Sequence, residues 1–292
     1  MSILFAFPDN ENQAASLAEE TGYSLGKIKL HHFPDGESNV QLLTDVRGQD
    51  VILYCSLDHP DSKVMPLMFF AATTEELGAI SITLIAPYLG YMRQDKRFQD
   101  GEAITSNIFA AFLSNYFDRL LTIDPHLHRH KNMGEIYSIP TKVIHAADAI
   151  AEWIKINVKN PVLIGPDEES NQWVTDVAQR IAIPYTVLTK IRSGDRKVEV
   201  SIPDVDKYQT HTPVLLDDII STARTMVETV KHLKNAKMKP PICIGVHAVF
   251  SGDGYEILKK SGVEKIVTCN TIPHETNEID LNPIIANHIK DR

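Results

Sequence analysis

The sequence predicts an α/β protein: parallel sheets covered by helices on both faces. Three observations lead there. Short apolar runs alternate with stretches of helical periodicity along the whole chain, the pattern of strands joined by crossover helices. The alternation runs through about twice, with a seam near residues 140–145. The chain has 292 residues, 43% of them apolar and 23% charged, enough for about two domains of ordinary size with real cores.

Taken in order, strands are read at 3–7, 50–55, 80–86 and 119–123, then at 162–165, 185–188, 214–216, 242–249 and 265–268. Each is a short run rich in Val, Ile, Leu or Phe, as strands buried on both faces require. Helices are read between them at 10–21, 63–77, 105–115, 146–156, 171–181 and 225–234. In the last of these Met226, Val230 and Leu233 form one stripe. The only long stretch without regular periodicity is 190–209. It follows a strand and is rich in charge, which suits a mobile flap over a site. No repeat is visible residue by residue.

Composition excludes several classes. The formal net charge is −9, which argues against a general nucleic-acid or acidic-membrane surface but allows a local basic pocket. Cys55, Cys243 and Cys269 are far apart, which speaks against a disulfide framework or zinc site and fits a reducing, cytoplasmic setting. The N-terminus lacks a basic leader and meets Pro8-Asp9 too early for a signal peptide. No apolar run approaches membrane-spanning length.

The most informative segment is 215–225, Leu-Leu-Asp-Asp-Ile-Ile-Ser-Thr-Ala-Arg-Thr. An apolar strand runs into Asp217 and Asp218, a hydroxyl-bearing turn follows, and a helix begins. Turn and helix amides can take a phosphate, and the carboxylates can take sugar hydroxyls directly or through a divalent cation. A plain strand–helix connection with a Thr cap would not need two adjacent acids.

Five other clusters could carry chemistry. Phe33-Pro34-Asp35-Gly36-Glu37 is a hairpin turn signal whose ring and acids could also meet a purine. The segment 87–97, just after a strand, puts Arg93, Gln94, Lys96 and Arg97 together, either a phosphate site or a solvated basic turn. Asp124-Pro125-His126-Leu127-His128-Arg129-His130 alternates three histidines; a single His ligand to a hydrated magnesium fits better than zinc, since no Cys or Glu completes a zinc set. Asp167, at the end of another strand, could ligate a metal or simply favour the start of the next helix. Lys190-Ile191-Arg192 places two cations on one side of an extended segment.

The segment 215–225 resembles the ribose-phosphate signature of the type I phosphoribosyltransferase fold. The clusters, in their order along the chain from about residue 5 to 272, narrow the resemblance to the ribose-phosphate pyrophosphokinase (PRPP synthetase) family. This resemblance implies two similar doubly wound parallel-sheet domains of that fold, divided as 1–144 with the ATP-side motifs and 145–292 with the ribose 5-phosphate loop and flap. It implies transfer of the β,γ-diphosphate of ATP to the 1-hydroxyl of ribose 5-phosphate, giving PRPP and AMP, with Mg2+ as cofactor. Phe33, Asp35, Glu37, Arg93 and Gln94 are implied to hold ATP, the first three in a neighbouring subunit's site. His126 and Asp167 are implied as metal ligands, with His128 and His130 outside that set. Asp217, Asp218, Ser221, Thr222, Ala223, Arg224 and Thr225 are implied to bind ribose 5-phosphate, and Lys190 and Arg192 to stabilise the transferring group. A homo-oligomer built on a dimer, up to a tetramer or hexamer, follows from the shared site, with no nucleic-acid or membrane partner.

The sequence departs from the family pattern in places. Ser221 stands where Asp is most frequent, Arg224 where Gly is frequent, and Glu169-Ser170 where small residues are frequent. These departures leave open a non-catalytic homologue acting as a regulatory subunit. A phosphoribosyltransferase consuming PRPP, or a diphosphokinase on another phosphosugar, are further alternatives. Val46-Arg47-Gly48 resembles part of an ADP/phosphate regulatory site, but the Ser-rich C-terminal segment of the phosphate-activated class is not recognisable. Weak or absent phosphate activation is therefore expected.

Overall fold

The computed structural model describes residues 2–193, 197–201 and 205–290, without the side chains of Glu169, 189–193, 197–201 and Asp206. The chain divides into two compact units, the first comprising the residues up to Ile144 and those from Asn282, the second His145–Leu281.

In the first unit the elements follow as β1 (Ser2–Ala6), α1 (Glu11–Thr21), β2 (Ser24–Leu25), β3 (Ile28–His32), β4 (Ser38–Leu42), β5 (Asp50–Tyr54), α2 (Asp61–Glu76), β6 (Ser81–Ala86), α3 (Thr105–Tyr116), β7 (Arg119–Ile123) and β8 (Thr141–Ile144). Six strands form a parallel sheet in the order β2-β1-β5-β6-β7-β8. The strands are apolar because both faces are covered: Leu4, Phe5, Ile52, Leu53, Leu84 and Ile85 are fully buried. Phe70 of α2 meets Phe5 and Phe7 edge-on, with centroids 5.4 and 6.3 Å apart. β3 and β4 stand apart from this sheet as an antiparallel hairpin.

The second unit contains α4 (Ala147–Asn157), β9 (Pro161–Gly165), α5 (Asn171–Ile181), β10 (Tyr185–Val187), β11 (Thr189–Ser193), β12 (Lys197–Ser201), β13 (Thr212–Ile219), α6 (Arg224–Asn235), β14 (Ile242–His247), α7 (Gly254–Lys260), β15 (Lys265–Cys269) and β16 (Asn277–Ile279). Its parallel sheet runs β10-β9-β13-β14-β15-β16, the same order as the first once each strand is replaced by its counterpart. The β11–β12 hairpin interrupts the second unit where β3–β4 interrupts the first, between the edge strand and the next central strand. In each sheet the winding reverses beside the unit's first strand, between β1 and β5 and between β9 and β13. Open α/β sheets bind ligands at the carboxyl ends of strands flanking such a reversal.

Three expectations are corrected. The segment 190–209 is not irregular: its described part holds the β11–β12 hairpin and a 3-10 turn at Asp206–Tyr208. Ile191, Val198 and Val200 alternate with polar residues, the period of a two-stranded ribbon. The strand read at 214–216 runs on to Ile219, so Asp217 and Asp218 lie within it, Asp217 paired with Gly245. Finally, the last helix, α8 (Asn282–Lys290), joins the first unit rather than the second. It buries Ile285, Ala286 and Ile289. Against α1 and its C-terminal turn, Asn282 Nδ2 donates to the Gln13 carbonyl at 2.9 Å and Tyr23 donates from its hydroxyl to the Ile289 carbonyl at 2.9 Å.

Candidate active site

In the second unit three carboxylates gather at the reversal of the sheet. Asp167 lies two residues past β9, and Asp217 and Asp218 lie near the end of β13, its neighbour. Burial raises the Asp217 carboxyl well above its ordinary range, and the negative charges of Asp218 and Asp167 push it further the same way. Asp218 is 8% exposed; its amide donates to Asp217 Oδ1 at 3.0 Å, and its own Oδ1 accepts from the Ile219 amide at 2.8 Å. Asp167 caps the short turn Glu168–Ser170, accepting from the Ser170 amide at 3.3 Å, while Ser170 Oγ donates back to the Asp167 carbonyl at 2.6 Å. Ser170 is buried, and a Cβ on Gly165 would lie 2.5 Å from its Oγ, so glycine there lets the turn fold onto the strand end. A crowded acidic cluster of oxygen donors fits a hard divalent cation, which would relieve the mutual repulsion.

Beyond the acids, Ile220 to Ala223 make the turn into α6. Ala223 takes the left-handed conformation at φ 57, so that Arg224 begins the helix and is exposed. Ala223 offers no side-chain cap, which leaves the first amides of α6 open to an anion. Thr222 is exposed, and Ser221 and Thr225 are half-buried.

In the first unit the motif Phe33 to Glu37 forms the tip of the β3–β4 hairpin. Gly36 sits at φ 93, its amide donating to the Phe33 carbonyl at 2.9 Å, and the Phe33 amide donates to the Glu37 carbonyl at 2.8 Å. Phe33 is 43% exposed, its ring edge-on to His31, and Asp35 and Glu37 are exposed as well.

The basic segment leaves β6 through Gly90, where a Cβ would stand 2.7 Å from the Leu57 carbonyl. Arg93 is exposed and Gln94 half-buried. Glu102 closes the following loop by accepting from the amides of Phe98 and Gln99 at 2.9 and 3.1 Å. At the end of β7, buried Asp124 turns the chain at φ 35, an uncommon conformation for a side chain other than glycine, and His126 and His128 follow with ring centroids 3.9 Å apart. His130 instead pairs with Glu135 at 3.3 Å.

Asp95, within the basic segment, joins the two loops. It is 7% exposed and accepts from Arg129 Nη1 at 2.6 Å, tying the segment of Arg93 and Gln94 to that of His126. Asp95 Oδ2 is buried with no hydrogen-bond partner among the described residues. An acid set among four basic or amide neighbours in sequence was the available signal. Lys190 and Arg192 lie on β11 opposite Val200 and Val198; their side chains are outside the described residues.

Comparison with known proteins identifies the family. Residues 2–116 match the sequence model of the N-terminal domain of ribose phosphate pyrophosphokinase, and 132–283 that of the phosphoribosyl transferase domain. The chain is 30% identical to the ribose-phosphate pyrophosphokinase of Methanobrevibacter smithii, over 97% of this chain and 98% of that one. It is 31% identical to that of Sulfolobus acidocaldarius, over 90% and 92%. The fold superposes on the crystal structure of phosphoribosylpyrophosphate synthetase from Mycobacterium smegmatis with a TM-score of 0.87, at 24% identity, over 99% of this chain and 97% of that one.

Proposed function

The chain belongs to the ribose-phosphate pyrophosphokinase family, and on that premise we propose that it transfers the β,γ-diphosphate of ATP to the 1-hydroxyl of ribose 5-phosphate, releasing PRPP and AMP. The observation that carries this reading is the carboxylate cluster of Asp167, Asp217 and Asp218 at the reversal of the second sheet, followed directly by the uncapped start of α6. Amides of the turn from Ser221 to Thr225 bind the 5-phosphate, and Asp217 and Asp218 take the ribose hydroxyls. Phe33 stacks on adenine of an ATP bound by a neighbouring subunit, and Asp35 and Glu37 accept from its amino group. Arg93 and Gln94 hold the phosphates of the ATP bound in their own subunit, and Asp95 with Arg129 keeps that segment in place beside His126.

His126 on the ATP side and Asp167 with its acidic neighbours on the sugar side would hold Mg2+, which would neutralise charge on the transferring group. Lys190 and Arg192 close over the site from the β11–β12 hairpin and meet the charge that develops on the diphosphoryl group. Little covalent chemistry is asked of the protein; holding two substrates in line and excluding water is most of the work. The smallest active unit is a dimer, because Phe33, Asp35 and Glu37 serve a neighbour's site, and the enzyme works in the cytoplasm.

The test is incubation with magnesium-ATP and ribose 5-phosphate, with AMP and PRPP followed separately. Equal formation of both is expected. Release of AMP without PRPP, or no reaction with ribose 5-phosphate, would point to another acceptor or to a non-catalytic homologue.

A further inference from the structure

The turn proposed to bind ribose 5-phosphate does not stand alone. A second loop, residues 248–253 between β14 and α7, is fastened to it by three hydrogen bonds, with a close backbone approach at Gly254. The Phe250 amide donates to the Ile220 carbonyl at 2.8 Å, and the Ser251 amide donates to the Ser221 carbonyl at 3.1 Å. Ser221 Oγ and Ser251 Oγ share a hydrogen bond at 3.0 Å. A Cβ on Gly254 would lie 2.4 Å from the Ser221 carbonyl oxygen, so only glycine lets the two backbones come this close.

The fastening is held under strain. Phe250 sits at φ 37, a genuine outlier for a bulky residue. Such a conformation persists only when its surroundings over-determine it. Here they do: the Phe250 ring packs against Tyr255 and His274, at 5.2 and 4.6 Å between centroids, and those two meet each other at 4.9 Å. His274 is itself fixed, with Nδ1 and Thr276 Oγ1 2.9 Å apart.

The first unit repeats the device. Its loop after β6, the counterpart of β14, presses Gly90 against the Leu57 carbonyl, and the Leu57 amide donates to the Tyr88 carbonyl at 2.8 Å. That loop leads into Arg93 and Gln94, the residues proposed to hold ATP.

We infer that Ser251 is a positioning residue for the acceptor sugar phosphate: its hydroxyl fixes that of Ser221, and the strained loop of Phe250 holds both against the turn. The inference rests on the reading of 221–225 as the ribose 5-phosphate turn.

The experiment compares Ser251→Ala and Ser251→Thr with the wild type, measuring KM for each substrate, kcat and melting temperature. Wild-type formation of PRPP tests the underlying reading by itself; its absence removes both reading and inference. Given wild-type activity, Ser251→Ala is expected to raise KM for ribose 5-phosphate about three- to tenfold, the range set by one neutral hydrogen bond, with KM for ATP unchanged. Ser251→Thr, which keeps the hydroxyl, should return KM to near the wild-type value. In the double variant Ser221→Ala/Ser251→Ala the effects should not add, since each removes the same bond. Unchanged KM in Ser251→Ala, equal rises for both substrates, or full additivity would overturn the inference. If Ser251→Ala does not fold, Ser251→Cys, close in size and a weak donor, is held to the same outcomes.

Discussion

Asp217 is pushed toward its protonated form by burial first and by Asp218 and Asp167 next, so the folded protein binds a proton there more tightly than the unfolded chain does. Stability from this group is therefore highest below the ordinary carboxyl range and falls as pH rises toward the raised folded value. Asp217→Asn should increase the melting temperature at neutral pH in chelator and flatten its decline with pH, while sharply raising KM for ribose 5-phosphate; a lower melting temperature would contradict the assignment. Arg224 is the other instructive residue. The left-handed backbone falls on Ala223, one residue before it, and Arg224 begins a helix with its side chain exposed. Arg224→Gly should leave KM for ribose 5-phosphate within a few-fold, whereas a rise of about tenfold, equivalent to about 1.4 kcal/mol, would make Arg224 a phosphate ligand. The residue types of this site were legible in the sequence because acids, hydroxyls and a helix start are rarely consecutive without a ligand. Which residue takes the positive φ was not, since alanine has no preference for that conformation. The role of Ser251 was not legible either, being a contact between loops thirty positions apart.

At the scale of elements, each unit carries one antiparallel hairpin apart from its parallel sheet. The β3–β4 hairpin was legible from Pro34-Asp35-Gly36, which sets the turn locally. The β11–β12 hairpin was not, because its charged residues masked a short period-two pattern that pays off only when two strands pair. Central strands were found readily, being buried on both faces and apolar throughout. The edge strand β2, of two exposed residues, gives no such signal. Lys190→Ala and Arg192→Ala should each lower kcat by on the order of 10²-fold and change KM for ATP far less, since their charge is needed most in the transition state. A change confined to KM would place them in ground-state binding.

Across the whole molecule, one sheet order serves twice, with a hairpin inserted at the same point each time. The duplication leaves no residue-level repeat because the fold asks only for apolar strands and amphipathic helices in the right succession, which many sequences satisfy. Exchange between subunits tests the shared site: Phe33→Ala mixed with Lys190→Ala should recover part of the lost activity, because hybrid sites can hold both wild-type residues. No recovery despite demonstrated subunit exchange would show that each site is built from one chain.

The return of α8 to the first unit has a consequence for how the protein is made. A ribosome releases the chain from its N-terminus, so the second unit is fully synthesised while the first still lacks its closing helix. During that interval α1 waits with its partner face bare, and residues made later complete a fold begun earlier. A chain ending at Leu281 should be left permanently in that state. Loss of buried Ile285 and Ile289 alone predicts about 3–6 kcal/mol less stability for the first unit in urea unfolding, with the transition of the second unit little changed. Coincident loss of both transitions would mean that the birth order of the two units does not matter to either.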